Sequence, residues 1–272
     1  MKKLVFAILA GFLALSVSAQ TPAPRTASSQ AAYTIEVGGS TSVTPLMEQF
    51  TEAYSKVKPN IKVNINPTGS GDGIKNAGVL YQIGMTSRQL TPAEKGAGLR
   101  EVTVAIDGIA IIVHRDNPVR DLTVEQIRDI YTGAVTDWSQ VSGGAKRGRI
   151  AVVSREAGSG TRGAFEELVG VKTLVAGANE STSTGAIKAG IAQNPDAIGY
   201  ISLGSLDRTV KALSVGGVTA SNANVVKGAY KIARPFIVLY KDNIHAESKA
   251  FIDWMLSRAG QTVVRTSWIP VK

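Results

Sequence analysis

Three short loops constrain this chain more than any other feature. Each is rich in Gly with Ser or Thr, follows an apolar run and opens a helical pattern. They are Gly38-Gly39-Ser40-Thr41-Ser42, Gly69-Ser70-Gly71-Asp72-Gly73 and Gly158-Ser159-Gly160-Thr161. Before the first, Thr34 to Val37 reads as a strand. After it, Val43, Leu46, Met47, Phe50, Ala53, Tyr54 and Val57 recur on one helix face, which Pro59 ends. Ile61, Val63 and Ile65 then alternate as a second strand and lead into the second loop and a short helix. Ile150 to Val153 lead into the third loop and a helix carrying Phe165, Leu168 and Val169. Strands alternating with helices imply parallel pairing, and in a parallel sheet such loops gather at the carboxyl ends of the strands, where ligands bind. A helix start offers unpaired N–H groups and a partial positive charge. Glycine allows close approach to that backbone and hydroxyls add donors, so three such loops around one cleft would surround a small tetrahedral anion.

Two β-rich segments read as crossings between two lobes. One is Val102 to His114, broken at Asp107-Gly108; the other is Tyr230 to Tyr240, broken at Pro235. Thr123 with Gln126 forms a capping box for a helix ending near Gly133. A last helix is expected from about His245 to Ala259. The expected fold class is α/β, with two lobes that each hold a mixed sheet flanked by helices. Lobe one takes residues 33–106 plus 236–272, and lobe two takes 107–235.

The first residues read as an export signal. Lys2 and Lys3 precede an apolar run from Leu4 to Val17, and Val17-Ser18-Ala19 supplies small residues for cleavage. The run is shorter than the ~18–20 residues that span a bilayer. The mature chain is expected to start at Gln20, with residues 20–32 as a flexible lead-in. The sequence contains no cysteine, which rules out disulfides and a lipid-bearing N-terminal cysteine. A soluble periplasmic protein, expected to be a monomer, is the resulting expectation.

Without residues 1–19, 253 residues remain, carrying 28 of the 30 basic residues against 21 acidic ones, a net charge of +7. That balance favours anionic partners. The only tight basic cluster is Lys146, Arg147 and Arg149, with no aromatic residue interleaved, so nucleic acid is not an expected partner. His114 and His245 stand far apart in a chain without cysteine, so no metal site is expected. No cofactor is implied.

Two charged residues complete the anion reading. Arg155 lies four residues before Ser159, and its planar fork suits an oxyanion. Asp107 lies in the first crossing. A carboxylate beside an anion site repels the ligand unless the ligand brings a proton to donate, as phosphate does near neutral pH and sulfate does not.

GGSTSVTPLMEQF, PTGSGDGIKNA, IGMTSRQL, IDGIAIIV, SREAGSGTRGAFEEL and AIGYISL follow one another over nearly the whole mature chain. In that order they resemble the periplasmic phosphate-binding proteins of Pst-type ABC transporters, with GSTSVTPL and GSGTR the most specific segments. The resemblance implies a type II periplasmic-binding fold that holds inorganic phosphate between its lobes and delivers it to a membrane ABC permease. It implies ligand-binding roles for Ser40, Thr41 and Ser42, for Ser70, and for Arg155, Ser159, Gly160 and Thr161. Familiar members carry an aspartate in the segment resembling IGMTSR, where this chain has Ser87 followed by Arg88. Asp107 is the candidate replacement, Ser87 a further donor, and Arg88 is open to binding the anion or pairing with Asp107.

Other readings are weaker. Gly158 to Gly163 formally matches G-x-G-x-x-G, but it lies mid-chain, outside an opening βαβ unit. Ser55 to Lys58 matches S-x-x-K near a helix end, with no S-D-N or K-T-G after it. A phosphatase would need a base beside a nucleophile or a metal set, and the sequence offers neither. The chain is therefore expected not to be an enzyme. The same fold could hold sulfate, molybdate or tungstate instead.

Overall fold

The computed structural model describes residues 32–272. The expected signal peptide at 1–19, and the lead-in up to residue 31, lie outside the described residues. The strand Tyr33–Gly39 pairs in parallel with Ile61–Asn66 on one side and Ile83–Thr86 on the other. Their carboxyl ends therefore share one edge, and from it leave Ser40 to Ser42, Ser70 and Ser87 in turn. A second parallel set repeats the arrangement. Ala151–Arg155 runs between Asn179–Ser181 and Ala197–Ser202, and its carboxyl end carries Arg155 and the third loop.

One strand, Arg100–His114, joins the two sets. It runs antiparallel to Ala233–Tyr240 along its first half and to Ala197–Ser202 and Val210–Ala212 along its second. The result is one connected nine-stranded mixed sheet. The sequence suggested a break at Asp107-Gly108, whereas the strand runs through and it is the partner that changes there. Pro235 does not break its strand either. It stands opposite Ile106, whose N–H and C=O are both taken by Ile269 (2.9 and 3.0 Å), so the missing proline N–H deprives no acceptor.

The buried apolar side chains form two large clusters. One draws on Ile35 through Ala105 and again on Phe236 through Trp268; the other draws on Ile109 through Ile232. Both crossings therefore lie between cores, with Asp107 and Arg234 in the gaps.

Several helices differ in their ends from the expectation. The first, Thr44–Ser55, stops before Val57, which is 57% exposed and not on the buried face. The helix opened by the third loop is Gly160–Val169, and its Leu168 stays exposed while Phe165 and Val169 are buried. The final helix is two: Ala246–Met255, capped by His245, and Arg258–Val264, where Ser257 accepts from the Gly260 N–H. Gly260 sits so close to the carbonyls of Trp254 and Met255 that the chain can turn there. The capping box of Thr123 and Gln126 forms as expected, and the helix Val124–Thr132 ends at Gly133, whose φ is 85°. Among the described residues no helix is long and apolar enough to cross a membrane.

Candidate functional site

The loops from the two parallel sets meet. Ser42 Oγ lies 2.6 Å from Thr161 Oγ1 and 3.2 Å from Thr184 Oγ1, and Thr41 Oγ1 lies 3.4 Å from Thr184 Oγ1. The Gly71 N–H donates to the Gly158 carbonyl at 3.0 Å, tying the second loop to the third. Ser70 Oγ and Ser87 Oγ are 3.4 Å apart, and a side chain at Gly160 would strike both. Ser40, Ser42, Ser70, Ser87, Ser159, Thr161 and Thr184 are all buried. So many hydroxyls out of water would be costly without partners. Ser40 Oγ has no hydrogen-bond partner among the described residues, nor do the N–H groups of Thr41, Ser42, Ser70, Gly160 and Thr161. These are donors converging from several helix starts, the environment an oxyanion requires. Ser159 also serves locally, its Oγ accepting from the Arg162 N–H at 3.3 Å.

Arg155 is 2% exposed and ends its strand on an aromatic floor. Phe165 and Tyr200 stack at 4.0 Å, and the Tyr200 hydroxyl accepts from the Arg155 N–H at 3.2 Å. The guanidinium is aimed by Glu156, which accepts from Nε at 2.9 Å and from Nη2 at 2.8 Å, and by the carbonyls of Ser181 and Thr182. Nη1 is left facing Thr184 Oγ1 at 3.5 Å, so its donors point toward the hydroxyl cluster. A fork fixed on one edge keeps its other edge ready for a ligand.

Asp107 is as buried as Arg155, and its partners settle which arginine it meets. Its Oδ2 accepts from Arg234 Nη2 at 3.2 Å and Nε at 3.4 Å, while Oδ1 accepts from Ser202 Oγ at 2.8 Å and the Gly204 N–H at 3.3 Å. Burial pushes the Asp107 carboxyl upward, and the Arg234 charge with the two Oδ1 donors acts against it. Arg88 is engaged elsewhere. It forms a two-pronged pair with Glu94, at 2.7 and 2.8 Å, and this holds the Glu94 carboxyl down at about 2. Because that folded value is below the ordinary 4.5, the pair stabilises the fold above pH 4.5 and ceases to as the pH falls through about 2. Glu94→Gln is therefore expected to lower the melting temperature at neutral pH, with the gap to the parent chain closing as the pH approaches 2. A pH series of thermal melts with a constant gap would show that the pair is not the source.

Two site residues are not singled out by the sequence. Thr184 opens the ten-residue helix Thr184–Gln193, and its N–H donates to Thr41 Oγ1 at 3.3 Å, making it a fourth helix start at the cleft. Its signal was present as Ser183-Thr184 ahead of an apolar helical pattern. Arg234 is the other: a charge between Ala233 and Pro235 inside the largely apolar run YKIARPFIVLY. Among the described residues no cluster of His, Cys, Asp or Glu could hold a metal ion.

Comparison with known proteins follows the same lines. A family model described as a PBP superfamily domain matches residues 24–259. A substrate-binding protein of Clostridium perfringens, assigned to a phosphate ABC transporter and solved with bound phosphate, is 48% identical. The match covers 88% of this chain and 100% of that one, with a TM-score of 0.85. An ABC-type phosphate transport receptor of Vibrio cholerae is 37% identical, over 87% of this chain and 99% of its own, with a TM-score of 0.71. The phosphate-binding protein PstS of Borreliella burgdorferi is 28% identical over 85% of this chain and 87% of its own.

Proposed function

Since the chain belongs to the PBP superfamily, among its PstS-like phosphate-binding proteins, we propose that it captures inorganic phosphate between its lobes and hands it to an ABC permease. The observation that carries this reading is the meeting of Ser42, Thr161 and Thr184 across the cleft, beside the free edge of the buried Arg155. Binding is reversible and breaks no bond: the family captures solutes and is not one of enzymes. The lobes close by rotation at the two crossings, 107 and 235, which divide lobe one from lobe two. Ser40, Thr41, Ser42, Ser70, Ser87, Ser159, Gly160 and Thr161 supply hydroxyl and backbone donors, and Arg155 supplies charge. The protein acts outside the cytoplasm. We place it in the periplasm as a monomer without nucleic-acid partner, exported by residues 1–19 and free of a lipid anchor, so that N-terminal sequencing should find Gln20.

Calorimetric titration of the mature protein with phosphate, sulfate and molybdate tests the ligand. Micromolar or tighter phosphate binding without sulfate binding is the expected result, and binding of sulfate alone would overturn the assignment. Arg155→Ala should weaken phosphate binding by about 1.5–3 kcal/mol, the scale of a charge-assisted hydrogen bond. An unchanged dissociation constant would take Arg155 out of the site.

A further inference from the structure

We propose that Arg234 is a second cation of the anion site, presented by Asp107, so that the ligand is gripped by two buried guanidiniums. The proposal rests on the reading of the cleft as an oxyanion site and deepens it. Arg234 is 3% exposed. A guanidinium carries five N–H donors. In Arg234, Nε and Nη2 each give one to Asp107, and Nη1 gives one to the Ser87 carbonyl at 3.1 Å. One N–H on Nη1 and one on Nη2 have no acceptor among the described residues. A buried cation with idle donors is costly unless something else accepts from them.

The position of those donors identifies what that is. The Ser87 carbonyl that Arg234 holds belongs to the residue whose N–H and Oγ both meet Ser70 Oγ, at 3.2 and 3.4 Å. Arg234 thus stands one residue from the hydroxyl pair that faces Gly160. Burial draws the Arg234 guanidinium below its ordinary value, Asp107 opposes it by charge and hydrogen bond, and the Arg155 charge adds a smaller downward push. A guanidinium with idle donors beside the Ser70 and Ser87 hydroxyls adds a second positive charge to the loops where an anion would sit. Phe236 backs the guanidinium, its ring centroid 5.3 Å from Cζ.

Asp107 then has a different task from the one its place in the sequence suggests. Its carboxylate already accepts from Ser202, Gly204 and Arg234. It is a bracket that ties the end of the strand Ala197–Ser202 to Arg234, and it does not depend on a ligand proton. Arg234 and Asp107 face each other in register on neighbouring strands at the crossing, so the bracket is part of the sheet.

The test is titration of the mature protein and the variants R234Q, R234K, D107N and D107N/R234Q with phosphate and with sulfate, each after a ligand-free melt. R234Q is expected to bind phosphate at least tenfold more weakly, the scale of one lost charge-assisted hydrogen bond. R234K, which keeps the charge without the fork, should fall between R234Q and the parent. D107N should bind phosphate more weakly, because Arg234 loses its bracket, and should still not bind sulfate. If R234Q does not fold, the double variant, with two neutral groups in place of the pair, carries the test and should bind phosphate just as weakly. Phosphate binding by R234Q or the double variant within threefold of the parent would overturn the proposal. So would a D107N variant that gains sulfate binding, since that returns the carboxylate to the ligand. A parent protein that binds neither anion would overturn the oxyanion reading itself, and the proposal with it.

Discussion

Gly73→Ala should destabilise the protein by about 3 kcal/mol, the upper range for forcing a methyl into a packed site. For a chain of this size that lowers the melting temperature by roughly 6–12 °C. The helix Ser70–Asn76 is set directly onto the sheet, backbone against backbone. A Cβ at Gly73 would lie 2.5 Å from the Met85 carbonyl oxygen, 2.8 Å from Gly39 Cα and 2.9 Å from the Gly38 carbonyl oxygen. None of these can swing aside as a side chain would. The contact is reciprocal, since a Cβ at Gly84 would lie 2.3 Å from the Gly73 oxygen, and Gly39 has a φ of 128° that side chains rarely adopt. Lifting the helix would also strain the Gly69 N–H bond to the Gly39 carbonyl, now 2.7 Å, and draw Ser70 away from the cleft. The control is Gly190→Ala, in a helix with nothing within 4 Å of the added carbon. That change should be neutral or stabilising by up to about 1 kcal/mol. If the two variants melt alike, the glycine contacts at 39, 73 and 84 are not what seats this helix.

Those glycines explain why so much of the site is legible in the sequence. Binding donors come from helix starts, and a helix start that must lie against a strand writes itself locally as Gly, Ser and Thr. The loops at 38–42, 69–73 and 158–161 could be read for that reason, as could the capping box at Thr123. Arg155 stood out because it ends a strand four residues ahead of such a loop. What stayed hidden depends on pairing between distant segments. Arg234 meets Asp107 only because two strands 127 residues apart align in that register. The sequence showed two charges in apolar runs and had no means of joining them, so Arg88, nearer in sequence to Asp107, was the natural alternative partner. Glu94, six residues on from Arg88, takes it instead. The breaks expected at Asp107-Gly108 and at Pro235 are also matters of pairing. At the first, the strand changes neighbours without stopping. At the second, the tail residue Ile269 donates to the Ile106 carbonyl, the one group that a proline, lacking an N–H, could not have satisfied.

Gly160→Ala tests the cleft from the opposite direction, by blocking its closure while leaving each lobe intact. Gly160 begins the helix Gly160–Val169, whose buried Ala164, Phe165 and Val169 belong to the 109–232 core. The atoms an added Cβ would meet belong to the other side: Ser70 Oγ at 2.3 Å, Ser70 Cβ at 2.8 Å and Ser87 Oγ at 2.8 Å. A hydroxyl can rotate away, but Ser70 Cβ is fixed to a helix that Gly73 holds against the sheet. The lobes must therefore part by some tenths of an ångström, and hydroxyl contacts such as Ser42 to Thr161, at 2.6 Å, part with them. Loss of two charge-assisted donors, at about 1.5 kcal/mol each, weakens phosphate binding on the order of 100-fold. The ligand-free melting temperature should hardly move, because the clash lies between lobes and not within either core. Affinity lost at constant stability is the signature of a cleft that works by closing on its ligand. If Gly160→Ala bound phosphate as tightly as the parent, the ligand would not lie among these loops. If it melted many degrees lower, the contact at Gly160 would belong to the core and not to the site.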